Sequence, residues 1–349
     1  MGNKINVGVI GAGWWATLSH IPALRDNPEV GIVAVSRPDP EGMEKVVASF
    51  PGVRPYFDAE EMLDKEDLQA VVVASPHVLH AEHARLALSR KLHTLIEKPM
   101  ATTAADARAL VALAQQQGVQ IVLPYGWNYR PIVQTAHQLI KDGWVGDVRH
   151  VVAQMASALA DLFGGEPMVE TTEHLFRPPV STWADPKKSG GYGWGQLTHG
   201  LGALFRIVDL DPSRVFARTG LSPAGVDYYD AAVVEFANGA TMALSGSATV
   251  PKSRGYQIDI RIFGTEGMML FDIERPRVEV IRHDGKTHIA ELPPGAGDYE
   301  QVAPITLLVD LARGAAAENP ADGTVGMRSS VLLDAMYRSA QSGRMEDVR

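Results

Sequence analysis

Short runs of valine, isoleucine and alanine alternate with helix-period segments over the N-terminal part of the chain. The apolar runs are INVGVIG, GIVAVS, AVVVAS, HTLIE and QIVLPYG, the first opening at Ile5 and the last at Gln120. They are nearly continuous in apolar residues, as strands covered on both faces are. HAEHARLALSRK and TAADARALVALAQQQG carry helical spacing between them. The second opens at Thr103, a good N-cap, and closes at Gly118, a residue suited to C′. This alternation predicts an α/β Rossmann domain over residues 1–124, a doubly wound parallel sheet with right-handed crossovers.

Past residue 145 the pattern changes. VRHVVAQMASAL, AAVVEFANGATMALSGSAT, YQIDIRIFGTEGMMLFDIE and RVEVIRHDGKTHIAEL read as antiparallel strands. Asn238-Gly239 and Asp284-Gly285 sit between such runs and mark hairpins. A helix is predicted after His199, and two more in APITLLVDLARGAAA and MRSSVLLDAMYRSAQ. Residues 125–349 therefore read as an α+β domain with a large, mostly antiparallel sheet. Residues 161–189, rich in Pro, Gly and polar side chains, read as a long functional loop.

Composition narrows the function. A chain of 349 residues suits two domains. A formal charge of −9 argues against nucleic-acid and anionic-membrane partners, which need clustered Lys and Arg. There is no cysteine, which excludes disulfides, thiolate ligands and a thiol nucleophile. No apolar run is long enough to span a bilayer, and the first residues lead straight into a strand, so a soluble cytoplasmic protein is expected.

The first strand ends in Gly11-x-Gly13-x-x-Ala16. The first glycine permits the turn, the second lets backbone approach a pyrophosphate, and the small third residue lets helix and strand pack. The helix start adds free N–H groups. Trp14 and Trp15 either shield the pyrophosphate, touch substrate or pack on the sheet. At the end of the second strand, where a carboxylate would hold the adenosine ribose of NAD, Ser36 and Arg37 stand instead. A hydroxyl and a guanidinium suit a 2′-phosphate, so NADP is favoured over NAD. The competing reading has Arg37 stacking on adenine and Asp39 taking the ribose.

Glu97-Lys98-Pro99 closes the fourth apolar run, at the strand end that faces a ligand crevice. Lys98 there can hydrogen-bond a substrate hydroxyl and favour its alkoxide, with Glu97 orienting it; the alternative is a lysine starting a loop in water. His77, His80 and His83 are spaced three apart without a supporting Cys or acidic cluster, a weak metal pattern.

GAGWWA, ASPHVLH, EKPMA, GWNYRP and SGGYGWGQLTHGLGALF occur in an order and spacing that resembles the Gfo/Idh/MocA family of nicotinamide-dependent oxidoreductases, over essentially the whole chain. The resemblance implies an enzyme acting on a carbinol of a sugar, sugar derivative, glycoside or cyclitol, with Lys98 and His199 at the reacting hydroxyl. It places Ser75, Pro76, His77 and His80 beside the cofactor, and Asn128 and Arg130 at the mouth between cofactor and substrate. Many members carry a carboxylate four residues before the histidine; here that position is Gly195. Gln196 stands three before His199, on one helical face with it, but cannot take a proton. His199 is thus expected to be the proton acceptor, assisted by Lys98. Tyr125, Trp127, Glu173, His174, Arg177, Trp183, Tyr192 and Trp194 are the further substrate candidates, a set of aromatic faces and polar tips suited to a polyol; about half should touch ligand, the rest serving core or subunit contacts.

The leading expectation is a hydride-transferring dehydrogenase. The alternative is a glycoside-cleaving enzyme using tightly bound nucleotide in a transient oxidation and elimination, because the THGLG run resembles such members. A third is a non-catalytic nucleotide-linked sensor, against which both Lys98 and His199 speak. A homodimer or homotetramer through the C-terminal sheet is implied by the resemblance.

Overall fold

The computed structural model describes residues 4–349. Six strands, β1 (Ile5–Ile10), β2 (Val30–Ser36), β3 (Arg54–Tyr56), β4 (Ala70–Val73), β5 (His93–Ile96) and β6 (Ile121–Val122), form one parallel sheet in the order β3-β2-β1-β4-β5-β6. Strand β3 has no apolar run in the sequence. Two of its three residues are exposed, because an edge strand needs only backbone pairing to β2. The Ala104–Gln117 helix is capped by the Thr103 side chain and ends on Gly118 at φ 70°, as its sequence predicts.

The second sheet has nine strands: β7 (Val148–Ala156), β8 (Pro212–Leu221), β9 (Asp227–Phe236), β10 (Thr241–Ser247), β11 (Gln257–Gly264), β12 (Gly267–Asp272), β13 (Arg277–Arg282), β14 (Thr287–Ile289) and β15 (Glu346–Asp347). Their order is β14-β13-β12-β11-β7-β10-β9-β8-β15. Strands β8 and β15 were not legible as runs. The β7–β10 pair is parallel, the exception in an otherwise antiparallel sheet: a long excursion separates β7 from β8, and the β9–β10 hairpin then delivers β10 beside β7. That hairpin turns on Gly239 at φ 83° and the β13–β14 hairpin on Gly285 at φ 86°.

The Ala303–Ala312 helix belongs to the C-terminal half yet buries Ile305, Leu308 and Val309 in one core with Val7, Val9 and Val72 of the first sheet. The Gly323–Ser342 helix packs on both the Ala104–Gln117 helix and β8, tying the two sheets together. Residues 161–189 contain no strand, but short helical turns at Ala160–Gly164 and Val180–Trp183 fold them across the crevice. Among the described residues no helix is long and apolar enough to cross a membrane.

Candidate active site

The strand order reverses between β1 and β4, and a cavity of about 590 Å³ opens there at the strand carboxyl ends. Gly11 has φ 92°, and a Cβ on it would stand 2.5 Å from the Ser75 backbone nitrogen. Glycine therefore serves both the turn and the close approach to the end of β4. A Cβ on Gly13 would meet nothing closer than 3.9 Å. Bare backbone and a helix start thus face the cavity, the donor set a pyrophosphate requires. Trp14, Trp15, Ser75, Pro76 and His77 line the same space.

Lys98 follows the end of β5. Its Nζ donates to the Gly195 carbonyl at 2.7 Å and lies 5.1 Å from the Trp183 ring centroid. Burial lowers its pKa to about 8, with Glu97 pulling the other way. Glu97 is 7% exposed; its Oε1 meets His20 Nε2 at 2.8 Å, and Oε2 accepts the Lys98 N–H at 3.1 Å. Burial pushes this carboxyl up, but the His20 hydrogen bond and the neighbouring positive charges outweigh it and hold Glu97 below the usual range. His20 was missed in the sequence. Its one trace is a titratable residue on an apolar helix face, between Ala16 and Leu24 at four-residue steps.

His199 was expected to precede a helix; it is the second residue of the Thr198–Ile207 helix, which continues directly from a wide turn over Gly193–Leu197. Its ring is buried edge-on among Tyr125, Trp127 and Tyr299, with centroids 5.9, 5.7 and 5.5 Å away. Nδ1 is buried without a partner, leaving Nε2 as the nitrogen open to the cavity. Burial first, and the Lys98 charge second, hold this imidazole well below its ordinary pKa. There is no room for a carboxylate at residue 195: a Cβ on Gly195 would stand 2.8 Å from Phe163 and 2.9 Å from Trp183. Gln196 is buried and lines the cavity.

The turn that carries these groups is held from behind. Asp227 Oδ2 accepts the Gly193 N–H at 2.7 Å, and the Tyr337 hydroxyl donates to Oδ1 at 2.8 Å. Gly191, at φ 114°, must be glycine because any Cβ would collide with that same carboxylate. Asp230 is buried close enough to Asp227 to feel its charge, and its Oδ2 has no hydrogen-bond partner. Burial raises both carboxyls, and the Asp227 charge keeps the proton on Asp230. Nothing in the sequence marked these two aspartates.

Of the residues expected at the cofactor, Ser36, Asn128 and Arg130 do not line the cavity. Ser36 is buried in β2. Asn128 is fully buried and donates to the Gly202 and Pro320 carbonyls, and Arg130 pairs with Glu300 at 3.2 Å. Arg37 does line it, stacked 4.2 Å from the Phe176 centroid, with Nη1 on the Ala12 carbonyl and Nη2 on Asp39, both at 2.9 Å. His77, His80 and His83 point to three different places: the Ser189 carbonyl at 2.9 Å, the Pro99 and Ser75 carbonyls at 2.7 Å each, and the Ser75 hydroxyl at 2.9 Å. Both nitrogens of His80 could donate at once only in the charged form. Burial opposes that charge, so one contact lacks its proton. Burial also drives His77 down to about 3.

Of the substrate candidates, Lys98, Trp127, His174, Trp183, Gln196 and His199 line the cavity. Tyr125 is buried against the Thr198 hydroxyl, Tyr192 against Ser157, and Trp194 stacks on Tyr337. Glu173 and Arg177 are exposed, Arg177 turning to the Thr172 hydroxyl. Alternation and helix period do not reveal which face of a loop points inward, so these corrections fall mostly on loop and turn residues. Tyr256, Tyr299, Leu159, Leu162 and Met168 are among the further lining residues that the sequence did not single out.

Residues 5–125 match the family model described as "Oxidoreductase family, NAD-binding Rossmann fold", and residues 133–270 match the GFO/IDH/MocA C-terminal domain. The chain belongs to the Gfo/Idh/MocA oxidoreductases. Among relatives, it is 28% identical over 333 residues to the dTDP-3,4-didehydro-2,6-dideoxy-alpha-D-glucose 3-reductase of Streptomyces antibioticus, covering 91% of this chain and 93% of that one. It is 24% identical to a D-xylose 1-dehydrogenase (NADP(+)) of Haloferax volcanii, covering 96% and 97%. The solved levoglucosan dehydrogenase in complex with NADH and L-sorbose shares the fold of this Gfo/Idh/MocA chain, with a TM-score of 0.77 over 100% of both chains at 20% identity.

Proposed function

We propose that the protein is an NADP-preferring dehydrogenase or ketoreductase of a sugar or cyclitol carbinol, with Lys98 moving the hydroxyl proton and His199 holding the oxygen. The observation that carries this reading is the convergence of Lys98 and His199 in the cavity that also contains the Gly11–Ala16 turn. Gly11, Gly13, Arg37, Ser75, Pro76 and Glu97 would hold the dinucleotide, whose nicotinamide supplies the hydride acceptor or donor when bound.

The division of labour between the two side chains departs from the sequence expectation, which made His199 the proton acceptor. A buried, unpartnered Nδ1 is cheaper as a bare lone pair than as an orphaned N–H. That places the ring proton on Nε2, where it donates to the substrate oxygen. A depressed imidazole pKa opposes taking up a second proton. Lys98, near pKa 8, is partly neutral at cytoplasmic pH and accepts the hydroxyl proton in oxidation or returns it in reduction. Near-ultraviolet absorbance of reduced nicotinamide, followed across hexoses, glycosides, anhydrosugars and inositols, tests the reading. Glycoside consumption with no net absorbance change would replace it with cleavage by transient oxidation.

The NADP preference rests on Arg37. Its partner Asp39 is half exposed, and such pairs yield readily to a better anion such as a 2′-phosphate. Arg37→Ala is expected to raise the KM for NADP about 10- to 100-fold and leave that for NAD within about threefold, as loss of one charge-assisted contact implies. Equal effects on both nucleotides would return the ribose to Asp39.

The outer face of the second sheet exposes Val152, Tyr229 and Val233 on adjacent β7 and β9 positions flanking β10. A second copy of the chain is the proposed cover. Light scattering is expected to report a dimer or tetramer that Val233→Arg dissociates; a monomeric wild type would rule the cover out.

A further inference from the structure

We propose that the substrate end of the cavity selects an uncharged cyclic carbinol bearing an apolar substituent, an aryl aglycone or a deoxygenated methyl group, and rejects acidic and nucleotide-linked sugars. The inference rests on the reading that Lys98 and His199 handle the reacting hydroxyl.

The wall beside His199 is carbon. Trp127 sits at the centre of an aromatic group, 5.5 Å from Tyr256 and 4.7 Å from Tyr299 between centroids. The polar tips of Trp127 and Tyr299 are turned away: the indole N–H donates to the Gly297 carbonyl at 2.9 Å and the phenol to the Pro124 carbonyl at 2.7 Å. Leu159, Leu162 and Met168, carried by the start of the loop that crosses the crevice, line the cavity as well. A fully hydroxylated ring would have to leave hydroxyls without partners against these surfaces, whereas a methyl or phenyl group is stabilised there by burial and edge contacts.

The polar groups that could answer hydroxyls are few, and most are already engaged. The Thr171 hydroxyl donates to the Met168 carbonyl at 2.8 Å, and His174 accepts from the Trp14 indole at 3.0 Å. Those left without a side-chain partner are Gln196, Thr182, Gln301, the Tyr256 hydroxyl and the single indole N–H groups of Trp15 and Trp183, beside His199 Nε2 and Lys98. This set can fix one edge of a ring.

Charge points the same way. Lys252, the cation near Tyr256, lies 2.8 Å from both Asp161 and Glu170, so its charge is more than neutralised. Arg177 faces Thr172 rather than the cavity. Glu97 and Glu170 are carboxylates in the lining itself. Arg37 lies at the nucleotide end, on the Ala12 carbonyl and Asp39, so a uronate or diphosphate at the substrate end would find Lys98, which is committed to the reacting oxygen.

The test is calorimetric titration of the full chain, loaded with reduced nucleotide, with four members of each common hexose series: methyl glycoside, phenyl glycoside, 6-deoxy methyl glycoside and methyl uronoside. In the series that binds, the phenyl and 6-deoxy members are expected to bind about tenfold or more tighter than the methyl glycoside, and the uronoside about tenfold weaker. Tyr256→Ser is expected to bring the phenyl-to-methyl ratio to within about threefold of unity, the loss of one aromatic contact. Tightest binding by the uronoside or the plain methyl glycoside, no binding by any member, or an unchanged ratio in Tyr256→Ser would overturn the inference. Turnover is read in parallel. Preferential apolar binding with no nucleotide absorbance change in either direction would keep the subsite and overturn the dehydrogenase reading instead.

Discussion

Lys98→Met is expected to lower kcat about 10³-fold while changing nucleotide affinity by no more than about threefold, the scale on which a positioned general acid–base contributes. Methionine keeps the stem length and the contact with Trp183 but has neither proton nor charge. Because Lys98 titrates near 8, oxidation should quicken with rising pH as the amine becomes neutral, levelling above that value. Reduction should slow over the same interval, since it needs the ammonium. Lys98→Arg should not rescue oxidation, because a guanidinium stays charged. Replacing His199 by alanine should cost less, about 10- to 100-fold, and leave the midpoint of the pH profile near 8. If instead the His199 variant abolished the pH dependence and Lys98→Met kept it, the two roles would have to be exchanged. Steady-state rates from pH 6 to 10 in both directions decide this.

The largest stability effect is expected behind the site, at Asp227. Asp227→Ala would strand the Gly193 N–H and the Tyr337 hydroxyl in the interior and is expected to cost about 3–5 kcal/mol, the range for breaking a buried, multiply bonded carboxylate. Asp230→Asn should behave in the opposite sense. Asp230 has a folded pKa raised by burial and by Asp227, so its contribution is fully present below the unfolded carboxylate pKa and is lost as pH rises through the raised value. Asparagine donates to Asp227 without titrating, so the variant's advantage over wild type should grow from acidic to alkaline pH. Denaturant midpoints of the three proteins at pH 5, 7 and 9 measure this. A constant offset between Asp230→Asn and wild type would mean that Asp230 is ionised in the folded chain.

Legibility followed the physics of each feature. The parallel sheet was readable because its interior strands are covered on both faces and so carry unbroken apolar runs; β3 lies at an edge, paired on one side alone, and left no run. The β9–β10 and β13–β14 hairpins were readable because a positive φ demands glycine. Lys98 could be placed at the crevice because the end of a buried parallel strand has one destination. His20 and Asp227 could not, since their partners Glu97 and Gly193 lie 77 and 34 residues away in sequence. Arg177 and Asn128 have residue types suited to ligands, yet one faces outward and the other ties the Gly202 and Pro320 carbonyls. Side-chain type carries no information about direction in irregular backbone.

The two-sheet architecture, the glycine turn at β1 and the choice of Lys98 and His199 as candidates, which line one cavity, were all legible in the chain, because each follows from local periodicity, local backbone conformation or a motif in a known context. The proposed division of labour between those side chains could be argued only from the folded chain. Whether a histidine or a lysine holds the proton depends on burial and on neighbouring charge, and both are properties of what long-range folding packs around them. The same holds for Gly195: its sequence shows a missing carboxylate, but only the fold shows Phe163 and Trp183 standing where that carboxylate would have to be.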